Sequence, residues 1–76
     1  MMTKAQIKKA YIDGWLDEIA KELTRYGTII KDYSFEIESG YHAGSHRVLE
    51  IEHYGIAWII EKHNGEVKTL GRTTDK

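Results

Sequence analysis

At Gly27 the hydrophobic repeat of this chain changes, from one apolar residue every three or four positions to one every second position. Side chains recur every 3.6 residues around a helix and every two along a strand, so the switch demands a helix followed by strands. Ile12, Leu16, Ile19, Leu23 and Tyr26, with Trp15 beside them, mark one helical stripe that should face a core. Thr3 and Gln6 have capping-box spacing and Gly27 suits a helix end, which together predict a single helix over about residues 4–26.

Beyond Gly27, Tyr33, Phe35 and Ile37 alternate with Ser34, Glu36 and Glu38, and Leu49 and Ile51 alternate with Val48, Glu50 and Glu52. Strands are expected over about residues 29–38, 46–53, 56–62 and 66–71, with a glycine-bounded loop at 39–45 and turns at Tyr54-Gly55 and Asn64-Gly65. The expected fold is α+β: an N-terminal helix packed on a three- or four-stranded antiparallel meander, in the order α-β-β-β-β and in two layers. Residues 1–76 form one domain in this reading, with a frayed tail at 73–76. The hairpin at 46–62 admits two registers. A two-residue turn puts Trp58 and Ile60 beside Leu49 and Ile51, a three-residue turn puts Ala57 and Ile59 there, and the first buries more apolar surface.

Composition narrows the function. The absence of cysteine among 76 residues removes disulfides, thiolate ligands and cysteine nucleophiles, and favours a reducing compartment, the cytoplasm. The longest apolar run, Ile56 to Ile60, is far too short for a helix to cross a bilayer. A net charge of −1 gives no global attraction for polyanions, so any electrostatic role must be local.

Three chemistries would each rest on particular residues. His42, His46 and His63 lie at one end of the expected sheet and could converge on a metal, but no residue there is identifiable as supporting them, so solvated surface histidines are the expectation and neither metal nor cofactor is assigned. No phosphate-binding glycine loop or nucleophile motif occurs, and a small convex core offers little cleft, so no catalytic residue is assigned. Lys4, Lys8 and Lys9, with Lys68 and Arg72, could serve a nucleic-acid-binding domain; this is the alternative reading, and a metal-dependent enzyme is the next.

The leading expectation is a non-catalytic protein-binding module, an adaptor or inhibitor. Strict alternation sets Glu36, Glu38, Glu50 and Glu52 on the outer sheet face with Val48, and adds Tyr41 and His42 from the adjoining loop. Such a face would occupy a basic surface of a larger protein, in the manner of a phage or mobile-element accessory protein. Ile7, Tyr11 and Gly14 mark a possible second interface on the helix edge, where a glycine inside a helix would admit a close partner or a second copy.

Overall fold

Thr3 begins the first helix as its spacing predicts. Its hydroxyl accepts the Gln6 N–H at 3.2 Å, and the Gln6 side chain accepts the Thr3 N–H at 2.8 Å. The computed structural model describes residues 1–72, and the tail expected to fray at 73–76 lies outside them. Two helices, α1 (Lys4–Asp13) and α2 (Leu16–Tyr26), precede four strands, β1 (Thr28–Ile37), β2 (Gly44–His53), β3 (Ile56–His63) and β4 (Glu66–Arg72). The strands form one antiparallel sheet in the order β1-β2-β3-β4, so the fold is α+β.

The single long helix of the sequence reading is two helices. Gly14 adopts a left-handed conformation, φ 83°, and its N–H bonds to carbonyls of the turn before, which closes α1. Trp15 then restarts the chain as the N-cap of α2 without a side-chain cap. The break changes the core stripe. Ile12 and Trp15, expected to face inward, are 79% and 61% exposed, while Ile7, expected at the edge, is 2% exposed and in the core.

That core joins Ile7, Ile19, Ala20 and Leu23 of the helices to Leu49, Ile51, Ile56, Trp58, Ile60 and Leu70 of β2, β3 and β4. Each large apolar side chain so buried is worth about 1.5–3 kcal/mol before conformational entropy is subtracted. The two-residue register holds: Leu49 pairs with Ile60 and Ile51 with Trp58. Tyr54 and Gly55, and likewise Asn64 and Gly65, all have positive φ, the conformation that a tight hairpin turn with the right twist requires. Gly27 is fixed by packing. A Cβ there would strike the Ile51 side chain and lie 2.7 Å from the Leu23 carbonyl oxygen, so only glycine lets α2 hand the chain to β1 this close to β2.

A second departure from the sequence reading lies in β1. The pairing with β2 slips by one residue between Ile29 and Lys31. Ile29 pairs with the buried Ile51, whereas beyond the slip Asp32 pairs with the buried Leu49. Because a one-residue bulge exchanges the two faces of a strand, Tyr33 and Phe35 point away from the helices, and Ser34 and Glu36 point to the helix side.

Candidate functional site

The bulge decides what the open face of the sheet carries. Paired residues in an antiparallel sheet share a face, so the outer face can be read from the register. Phe35 is opposite His46 and His46 opposite His63; Tyr33 is opposite Val48 and Val48 opposite Glu61; Lys31 is opposite Glu50 and Glu50 opposite Ile59; Glu52 is opposite Ala57. Tyr33 and Phe35 are about half exposed, at 52% and 47%.

Three rings form a column across this face. Phe35 and His46 stack with centroids 5.2 Å apart and planes 8° from parallel, and His46 stacks on His63 at 4.5 Å and 7°. The histidine Nε2 atoms turn to the loop between β1 and β2: His46 reaches the His42 carbonyl oxygen at 2.6 Å and His63 the Ala43 carbonyl oxygen at 2.9 Å. A carbonyl oxygen can only accept, so both Nε2 atoms carry the proton. Asn64 joins them, its side-chain oxygen accepting the Ser45 N–H at 3.0 Å. Gly44 is needed where these groups meet, since a Cβ would sit 2.6 Å from the Asn64 side chain.

Two of the three candidate histidines spend Nε2 on backbone carbonyls, and among the described residues no group of three or more potential ligands could hold a metal ion. His42 is exposed and meets the ring of Tyr41 edge-on, at 5.1 Å. Tyr41 is 96% exposed. These two side chains, with Lys68 and Thr69 of β4, edge a shallow depression of ≈ 510 Å³ whose floor includes His46 and His63.

The four glutamates do not share a face. Glu50 and Glu52 are outside as expected, with Lys31 lying 3.7 Å from Glu50. Glu36 is on the helix side, where it accepts the Ser45 hydroxyl at 3.3 Å, and Glu38 lies beyond the end of β1. Val48 is outside, as strand alternation demands. Sequence alternation missed Glu61 and Glu66, which the register adds to the outer face, opposite Val48 and His63. It also inverted Tyr33 and Phe35, and the two isoleucines at Ile29-Ile30, where strict alternation fails, are the one sign of the bulge.

On the helix side of β1 and β2, Arg47 grips Asp32 through two hydrogen bonds, Nε to Oδ1 at 2.9 Å and Nη2 to Oδ2 at 2.6 Å. The hydrogen bond from Arg47 holds the Asp32 carboxyl below its ordinary value, and the same bond raises Arg47.

The proposed helix-edge residues have structural places. Ile7 is in the core, Gly14 closes α1, and Tyr11 meets Trp58 edge-on at 5.5 Å with the Arg72 guanidinium 5.4 Å from its ring centre. Nothing lies within 4 Å of the position a Gly14 Cβ would take, so its conformation, not close packing, explains the glycine. No helix among the described residues is long and apolar enough to cross a membrane. No family model, curated protein or solved structure matches the chain.

Proposed function

We propose that this chain is a small non-catalytic protein-binding module that docks its partner on the outer face of the sheet. One observation carries the reading: the column of Phe35, His46 and His63, which continues into Tyr33 and Val48 on the neighbouring row of the same face. Half-exposed rings and aliphatics that adjoin one another leave apolar surface in water, and covering it is worth roughly 25 cal/mol per Å². Four carboxylates, Glu50, Glu52, Glu61 and Glu66, share the face with two lysines, Lys31 beside Glu50 and Lys68 beside Glu66. A partner apolar at its centre and basic at its rim would match both features, and the carboxylates would speed its approach and fix its orientation.

The aromatic column also invites a nucleic-acid reading, since single-stranded binders stack bases on such rings. Those binders surround their rings with positive charge, whereas on this face Glu50, Glu52, Glu61 and Glu66 outnumber Lys31 and Lys68. The protein reading therefore stands ahead.

The test replaces Phe35 and, separately, Glu18 on α2 by a photoreactive phenylalanine analogue in the producing cell. Adducts from position 35 and none from position 18 are expected, and the captured protein should bind the purified domain more weakly once Glu50 and Glu52 are glutamine. Adducts from position 18 alone would sink the proposal. So would tight binding of random single-stranded oligonucleotides that weakens steeply with salt, the signature of phosphate contacts.

A further inference from the structure

The two edges of the sheet are protected very differently. β4 is the shorter, its pairing is broken by a bulge at Lys68, and α2 packs beside it. β1 runs for ten residues with nine of them exposed, contains no proline, and carries Ile29, Ile30, Tyr33 and Phe35, each about half exposed. Its outer edge presents a row of backbone donors and acceptors with no strand beside them among the described residues. Charges are a usual guard for such an edge, but here they are turned inward along the sheet: Lys31 lies against Glu50 and Asp32 is held by Arg47.

We propose that β1 pairs antiparallel with β1 of a second copy of this chain, about a two-fold axis through Tyr33, to give one continuous eight-stranded sheet. The register follows from charge. Pairing about a two-fold axis sets residues of the same face opposite each other, so its centre can move only from one residue to the next. Centred on Ser34, Asp32 meets the second copy's Glu36; centred on Asp32, it meets itself. Like charges directly opposite are destabilising, and both registers carry them. Centred on Lys31, the two lysines meet, and centred on Phe35, Asp32 meets the second copy's Glu38. Centred on Tyr33, the two tyrosines meet, Lys31 faces the second copy's Phe35, and Asp32 faces its Ser34. No like charges oppose one another, and each lysine lies against an aromatic ring. The outer faces of the two copies then run together, with the two ring columns flanking the tyrosine pair. This inference stands on the edge strand alone and does not depend on the partner reading above.

Sedimentation of the wild-type chain should show a concentration-dependent species of twice the 8.8 kDa mass. Tyr33→Lys and Tyr33→Glu, each monitored for folding by circular dichroism, should weaken dimerisation at least tenfold alone and restore it when mixed. The chain has no cysteine, so Tyr33→Cys supplies a clean second measure. Opposed residues lie about 4.5–5.5 Å apart at Cα, within the span of a disulfide, so the variant should cross-link under mild oxidation while Thr69→Cys on the far edge should not. A wild-type chain that stays at monomer mass at every concentration overturns the proposal. Equal cross-linking from positions 33 and 69 does so too, even if the charged variants fail to fold.

Discussion

The imidazole of His63 lies flat against that of His46, 4.5 Å away, and each ring donates its Nε2 hydrogen to a carbonyl of the same loop. The pair thus ties the loop over residues 39–43 to the sheet from above. His63→Ala removes the bond to Ala43 and one face of the ring column. A net hydrogen bond is worth about 0.5–1.5 kcal/mol, so the loss in stability should fall near that range. Hydrogen exchange gives the sharper readout: amides of Tyr41 to Gly44 should exchange faster in the variant while those of β3 stay protected. Unchanged loop exchange would mean that His46 and Asn64 hold the segment without His63.

Gly14 gives a prediction opposite in sign to the one its sequence context suggests. Inside a helix, replacement of glycine by alanine or leucine stabilises by about 1 kcal/mol. At φ 83° the side chain meets its own backbone instead, and a left-handed residue other than glycine costs roughly 1–2 kcal/mol. Gly14→Ala should therefore lower the urea midpoint. Gly71→Ala, in a strand with ordinary φ and nothing within 4 Å, is the control and should not lower it.

Why the sequence showed one feature and hid another comes down to which signals are local. The capping box, the two hairpin turns and the alternation in β2 each depend on residues a few positions apart, and each appears in the structure where the sequence sets it. The break at Gly14 was hidden because the apolar stripe of Ile12 and Trp15 runs across it, and a periodic pattern outweighs one glycine. Only the packing shows that Ile7 takes the core position instead and that Tyr11 packs against it. The bulge at Ile30 was harder still. Tyr33, Phe35 and Ile37 alternate well on either face, and β1 is an edge strand with little burial to fix its parity, so its register comes from β2 and not from its own pattern. That single slip separates Glu36 from Glu50 and replaces an acidic face with an aromatic one rimmed by carboxylates.

Asp32 and Arg47 predict a pH dependence. The hydrogen bond from Arg47 lowers the folded-state pKa of Asp32 below its ordinary value of 3.8. A depressed carboxyl stabilises the fold above its unfolded pKa, and that contribution fades as pH falls through the folded value. Asp32→Asn should thus be less stable than wild type near neutrality, with the two converging as acid protonates the aspartate. Because the pair is solvent-exposed, added salt should narrow the gap at neutral pH. A gap that persists unchanged into strong acid would assign the effect to packing of the side chain and not to its charge.

Glu22 is the carboxylate whose place differs most from its surface-like setting in the sequence. Its side chain is only 9% exposed; it accepts the Met2 N–H at 3.1 Å and lies 3.8 Å from Nε2 of His53, itself 8% exposed. Met2 is held from the other side as well, its carbonyl oxygen accepting the Tyr54 hydroxyl at 2.8 Å. The segment before α1 is thereby pinned between α2 and the β2-β3 turn, ahead of the cap that Thr3 provides. Glu22→Ala leaves the Met2 N–H without its acceptor and takes the carboxylate away from beside the buried imidazole, and an unsatisfied buried polar group costs about 1–3 kcal/mol. Glu18→Ala, one turn earlier on the exposed side of α2, should stay within about 0.5 kcal/mol of wild type. Urea melts of the two variants check the contrast, and exchange at Gln6 and Ile7 checks its cause, since loss of the anchor should loosen the start of α1 before the sheet. Equal stability of the two variants would show that Glu22 is no anchor.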